Sequence, residues 1–214
     1  MTSIVILCDG AFPTEPYPLY LLESAQGLVC CDGAFQKYLD HFPEGRLPIA
    51  VIGDLDSLSA ELKEKYASLL VPIAEQEHND QTKAVRWVLE NHPEVSEISI
   101  LGATGLREDH TIGNLGLLMD YPRQLPLGER KVQIVSDYGT AFTVTDSCEL
   151  HLGEGRRISI FSADNSLRIC SEGLEWPLDD VVFDAWWKAT LNRTTEPIVR
   201  LKFSHPSSAL ILID

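Results

Sequence analysis

Short runs of unbroken apolar residues, separated by longer stretches of helical period, constrain this chain more than any other feature. Residues 3–8 (SIVILC), 28–31 (LVCC), 48–53 (PIAVIG), 98–101 (ISIL) and 132–135 (VQIV) read as buried strands. A strand that is apolar on both sides needs cover on both faces, and crossover helices supply it. Residues 80–91 put Ala84, Val85, Val88 and Leu89 on one helical face. Residues 109–121 do the same with Ile112, Leu115 and Met119, with Asp109 standing as an N-cap. The pattern predicts an α/β domain built on a parallel sheet. From about Gly139 the helical period disappears. ELHL, RRISIF, SLRIC, IVRLKF and ALILID are short strands between Gly, Asp, Asn and Pro turns, which predict a small all-β sandwich. The expected division is an α/β catalytic domain over 1–139 and a β-sandwich over 140–214.

The bulk properties narrow the partners. A net charge of −15 repels nucleic-acid phosphates and anionic membranes, so neither is an expected partner. It does not forbid ATP, which travels with Mg²⁺, an ion that carboxylates hold. The five cysteines form no CxxC pair, and several sit in apolar runs as small hydrophobes. With no signal-like start and no apolar stretch long enough to span a bilayer, a reducing cytoplasm is the expected compartment.

Ligands of open α/β sheets bind beyond the carboxyl ends of the strands. The sequence puts Asp32-Gly33 after the second apolar run, Asp54-Leu55-Asp56-Ser57 after the third and Gly102–Asp109 after the fourth, with Gln76–Asp80 just before a helix. On an extended backbone the two-residue spacing points Asp54 and Asp56 to one side. Two close carboxylates repel unless a cation or proton lies between them, and Mg²⁺ with one or two carboxylates plus substrate phosphates answers that. The glycine-containing loop before Asp109 offers backbone N–H groups and Arg107 to an anion, although it is not a Walker A sequence. No GxSxG elbow is present, which sets aside a serine hydrolase. The tryptophans Trp176, Trp186 and Trp187 in the last third suit either β-domain packing or stacking on a flat ring. One echo stands out: Cys8-Asp9-Gly10-Ala11-Phe12 recurs as Cys31-Asp32-Gly33-Ala34-Phe35.

Taken in order, CDGAFP, CDGA at 31–34, IGDLDS at 52–57, Q-x-x-x-D at 76–80 with Thr82-Lys83, GATGLREDH at 102–110, NLGLL at 114–118 and GLEW at 173–176 resemble the thiamine pyrophosphokinase family. The resemblance implies a homodimer with sites at the subunit interface. It implies transfer of the pyrophosphoryl group of ATP to the hydroxyl of thiamine, giving AMP and thiamine diphosphate. By motif position it implies that Asp54, Asp56 and Asp80 bind Mg²⁺ with Asp32 nearby, and that Arg107 shares in catalysis. Gln76 and Asp109 then fall in the substrate pocket, with Trp176 and Asn192 near the thiamine rings. Leu55, Leu106 and Leu191 stand where the family often has Phe, Gly and Ser. The rival readings are the same chemistry on another hydroxymethyl heterocycle, such as a pterin, and a non-catalytic nucleotide or thiamine sensor.

Overall fold

The computed structural model describes residues 2–214. It divides into two compact units, one made of the chain up to Leu117 with Leu125–Asp137, the other of Leu118–Gln124 with Tyr138–Asp214.

In the first unit the apolar runs become parallel strands. The chain passes through β1 (Thr2–Leu7), α1 (Pro16–Ser24), β2 (Gly27–Cys31), α2 (Ala34–His41), β3 (Ala50–Gly53), α3 (Ala60–Lys65) and β4 (Leu70–Pro72). It continues through α4 (Asp80–Asn91), β5 (Val95–Leu101), α5 (Glu108–Gln124, whose part from Leu118 on belongs to the second unit) and β6 (Lys131–Ser136). The strands lie in the order β6-β5-β1-β2-β3-β4, all parallel. Alternate residues face opposite sides. Val5, Leu7, Leu28, Cys30 and Val51 pack with Leu22 of α1 and Phe35 and Tyr38 of α2 in one core. The alternate set, including Ile4, Ile6, Val29, Ile98 and Ile100, is buried too, so the strands are covered on both faces. Helix α4 lies against β1, β2, β3 and β5 and buries Ala84, Val85 and Val88 of its expected face, while Leu89 at the edge of that face is only partly buried.

Helix α5 departs from the sequence expectation. Ile112 is exposed, while Asn114, Leu118 and Tyr121 are the buried positions. A polar residue takes an inward place because its amide bonds are satisfied there, as described below. Asp109 is the second residue of the helix rather than its cap.

The second unit is antiparallel. It contains β7 (Gly139–Val144), β8 (Cys148–His151), β9 (Arg157–Phe161), β10 (Ile169–Glu172), β11 (Asn192–Arg193), β12 (Ile198–Phe203) and β13 (Ala209–Ile213). Strands β11, β9, β13 and β7 pair in that order, and β10, β12 and β8 form a second sheet. Ile158, Ile160 and Ile211 from one sheet share a core with Ile169, Val199 and Leu201 from the other. That is the β-sandwich arrangement the alternating short strands predict.

Asp164, in the loop after β9, fastens two edges of this unit. Its carboxylate accepts from Ser166 Oγ at 2.6 Å, Ser207 Oγ at 2.9 Å and Ser166 N at 2.8 Å, and meets His205 Nε2 at 2.9 Å. The Ser166 hydroxyl first, then His205, hold its carboxyl well below the usual carboxylate range. An acid with a depressed folded-state pKa stabilises above its unfolded value, about 3.9, and loses that contribution as pH falls towards the folded value. Asp164→Ala should therefore cost about 1–2 kcal/mol of stability at neutral pH and progressively less below about pH 4. Chemical denaturation at both pH values checks this; an equal loss at each would show that the charge is not what fastens the loops.

Candidate active site

The loops that follow β1, β2, β3 and β5 and the N-terminal turns of α4 and α5 surround a cavity of about 410 Å³ in the first unit. Strand order reverses at β1, whose neighbours are β2 and β5, and a crevice at the carboxyl ends of the strands forms at such a switch point. The lining includes Asp9, Asp32, Ser57, Asp80, Arg107 and Asn114.

Asp32, Asp54 and Asp56 offer carboxylate oxygens that all lie within 4.8 Å of one another. Asp32 is reached from β2 and the other two from β3, which is its parallel neighbour. Asp54 and Asp56 do not converge through extended backbone, as their spacing predicts. Leu55 between them has φ 64°, so the segment is a tight turn, and Asp54 Oδ1 accepts from Asp56 N at 3.3 Å. A left-handed non-glycine residue costs about 1–2 kcal/mol. Leu55 is buried in the core with Leu58 and Phe35, and that burial holds the turn.

The electrostatics follow from this crowding. Asp32 is 6% exposed, and burial first, then repulsion by Asp80 and Asp56, pushes its carboxyl above the usual range against the pull of the Ser57 bonds. Ser57 N donates to its Oδ2 at 3.3 Å, while Oδ1 is buried with no hydrogen-bond partner. Asp54 moves the other way, lowered by the Asp56 N–H and by the side chain of Gln76. A Cβ on Gly53 would come within 3.0 Å of Asp32 Cβ and 3.4 Å of Asp80 Oδ2, so glycine lets those two carboxylates approach. Asp80 Oδ1 meets Lys83 Nζ at 3.1 Å, and that ammonium side chain is only 4% exposed.

The opposite wall is backbone. Gly10 N donates to Gly102 O at 2.7 Å and Ala11 N to Thr104 O at 2.9 Å, which continues the β1–β5 contact into the loops. A Cβ on Gly10 would stand 2.3 Å from Gly102 O, so no larger residue fits. Arg107 is exposed at the rim and held by Asp109, with Nε to Oδ1 at 3.0 Å. Arg107 keeps the Asp109 carboxyl down at about 2. Asn114 ties the two walls together. Its Nδ2 donates to Ala103 O at 2.7 Å, its Oδ1 accepts from Asn79 Nδ2 at 2.7 Å, and its backbone carbonyl meets Gln81 Nε2 at 3.3 Å. Asn79 in turn caps α4 through Thr82 N at 3.0 Å, which sets the helix that carries Asp80.

Asp32, Asp54, Asp56, Asp80, Arg107, Asp109 and Gln76 thus belong to the first unit. Trp176 and Asn192 belong to the second. Trp176 is 55% exposed, whereas Asn192 is 4% exposed with its amide turned to backbone.

A family model described as thiamin pyrophosphokinase, catalytic domain, matches residues 19–127, and one described as thiamin pyrophosphokinase, substrate-binding domain, matches residues 139–208. The chain belongs to the thiamin pyrophosphokinase family. Membership makes it a kinase-type transferase. Thiamine pyrophosphokinase 1 of Oryza sativa subsp. japonica is 28% identical over 186 residues, covering 75% of this chain and 68% of that protein. The thiamine pyrophosphokinase of Bacillus subtilis is 40% identical over 78 residues, 35% of this chain and 36% of that protein. In fold, the crystal structure of thiamine pyrophosphokinase from Bacillus subtilis superposes with a TM-score of 0.78 at 19% identity, covering 100% of this chain and 99% of that one. Yeast thiamin pyrophosphokinase gives 0.78 at 16% identity, covering 100% and 86%.

At this site, sequence reasoning named the carboxylates but not what holds them. Lys83 was visible only as part of a motif, and its burial against Asp80 had no local signal. Asn114 was hidden inside a helical period that favoured its apolar neighbours. Asn114→Ala should leave Asn79 and Ala103 short of a partner and cost about 1–3 kcal/mol. Chemical denaturation measures it; a variant as stable as the parent would show that the two walls do not depend on this amide.

Proposed function

We propose that this protein transfers the pyrophosphoryl group of ATP to the hydroxyl of thiamine, releasing AMP and forming thiamine diphosphate. The observation that carries the reading is the cluster of Asp32, Asp54 and Asp56 with its one orphaned buried oxygen, in a chain of this family. The first unit then handles ATP and the second the acceptor, in a homodimer, as the family resemblance implies. Five free thiols fit a reducing cytoplasm.

The donor set fits Mg²⁺: it is all oxygen, anionic and crowded enough to need a cation. Asp32, Asp54 and Asp56 would hold it, and Asp80, with Oδ1 on Lys83, keeps Oδ2 free beside Gly53 for the same space. When bound, the ion supplies positive charge to the phosphate oxygens and orients them. The chain's own residues do the rest. Arg107, at the rim and already donating to Asp109, would also donate to a phosphate oxygen as a second positive group. Gln76, whose side chain lowers the Asp54 carboxyl, would help fix that side chain. The acceptor hydroxyl attacks the β-phosphorus, the bond from that phosphorus to the oxygen bridging to the α-phosphorus breaks, and AMP leaves with the oxygen. The hydroxyl proton passes to a cavity carboxylate. In the second unit, the exposed Trp176 indole presents a face suited to a cationic thiazolium or flat pyrimidine.

Incubation with ATP, Mg²⁺ and thiamine should yield AMP and thiamine diphosphate in equal amounts. A hydroxymethyl pterin turned over faster than thiamine would reassign the acceptor, and thiamine binding without AMP would make the protein a sensor. Asp54→Asn and Asp56→Asn should each lower turnover by about a hundredfold or more while the fold persists. Near-normal rates at saturating Mg²⁺ would remove their metal role. Asp32→Asn has an opposite pair of effects. A buried acid with a raised pKa is costly when ionised, so the variant should melt higher than the parent without Mg²⁺ and gain less from adding it. A variant that melts lower and responds fully to Mg²⁺ would assign Asp32 to packing.

A further inference from the structure

Residues 173–176 and 192–195 run antiparallel. Leu174 bridges Thr194, Glu175 N donates to Arg193 O at 2.9 Å, and Thr195 N donates to Gly173 O at 2.9 Å. The same register places Trp176 opposite Asn192, and there the ladder changes character. The Asn192 backbone pairs with Ile158 of β9. Its side chain completes the ladder in place of the backbone. Oδ1 accepts from Trp176 N at 3.1 Å, and Nδ2 donates to Trp176 O at 2.7 Å. Oδ1 also accepts from Arg193 N at 2.8 Å. Leu191, at φ 58°, makes the turn that delivers Asn192 to both strands at once.

This job needs one donor and one acceptor on a short, planar group. Asparagine provides both; aspartate lacks the donor, and glutamine is one methylene too long. The consequence is a division of labour at Trp176. Its backbone is gripped on both polar atoms, while the residue as a whole stands 55% exposed. A ring fixed at its root but free at its face is preorganised for a flat ligand, which removes part of the ordering cost of binding.

We propose that Asn192 is a positioning residue for the acceptor: it works through Trp176 and does not touch the acceptor itself. This rests on the reading of Trp176 as the stacking face of a thiamine-binding unit. Both polar atoms of Asn192 are already committed to backbone, and the residue is 4% exposed, so it offers a ligand little.

The test is a double-mutant cycle in the full chain, with steady-state rates at varied thiamine and ATP. Asn192→Asp keeps the size and the acceptor but removes the donor, so it should raise the thiamine KM about tenfold and leave the ATP KM unchanged. In a Trp176→Ala background, Asn192→Asp should add nothing further, because the two residues act as one unit. Effects that multiply in the double variant would mean Asn192 contacts the acceptor directly and would overturn the proposal. A lowered melting temperature with an unchanged thiamine KM would also overturn it, since Asn192 would then be a packing residue. Should Asn192→Asp fail to fold, Asn192→Ala, which removes both the donor and the acceptor at Trp176, carries the same comparison. The underlying reading fails separately and visibly: a parent protein without thiamine-dependent AMP, or Trp176→Ala with an unchanged thiamine KM, would sink it and take this inference along.

Discussion

Mutual repulsion among three carboxylates is the constraint around which the first unit is organised. Oxygens of Asp32, Asp54 and Asp56 that lie within 4.8 Å of one another are unfavourable without a cation, and Asp32 is buried as well. Nothing in the carboxylates brings them together. Parallel pairing of β2 with β3 sets the first distance, and the left-handed turn at Leu55 sets the second. Both are backed by apolar burial: Cys30 and Val51 in the sheet, Leu55 and Leu58 under the turn. Hydrophobic free energy is thereby stored as charge crowding, which a divalent ion is suited to relieve.

The surroundings of the cluster show the same economy. Lys83 is a buried ammonium whose partner is Asp80, so one site carboxylate has its charge met from inside the protein. Asn114 and Asn79 carry the position of one wall to the other through neutral amide bonds, which add no charge to an already anionic pocket. On the far side the backbones of the loops after β1 and β5 meet directly, and only glycine at position 10 allows that approach. Arg107 and Asp109 differ from these groups in being exposed, so solvent screens their pairing.

The second unit solves a different problem. An indole must face solvent without a flexible root, and short strands offer few backbone partners at their ends. A single buried amide supplies the missing pair of bonds at Trp176. Trp186 and Trp187 are also well exposed, at 61% and 72%; among the described contacts Trp187 has its carbonyl held by Thr190 Oγ1 at 2.7 Å, and no side-chain amide spans both backbone atoms of either. Exposure alone therefore does not distinguish the three rings; the hold on the backbone does.

The sequence alone determined the class of the fold, because a continuous apolar run that is covered on both sides and a period-3.6 stretch between such runs leave few arrangements other than a parallel α/β sheet. It also determined which residues carry charge at the strand ends, since Asp32, Asp54 and Asp80 stand directly after or before elements whose periods are plain. It did not determine how the carboxylates meet. Spacing pointed to extended backbone between Asp54 and Asp56, and the structure has a left-handed turn, because burial of Leu55 outweighs its local preference. The inward face of α5 was also beyond its reach: Ile112 looks like core in a helical projection, but Asn114 is inside because Ala103 and Asn79 wait for its amide. Asn192 reads as a ligand contact in a linear motif, and in the fold its side-chain amide bonds to the backbone of Trp176. Periodicity is written into neighbouring residues and survives in one dimension. The partners that decide where a polar group points come from distant parts of the chain, and only the tertiary structure brings them within 3 Å or so of it.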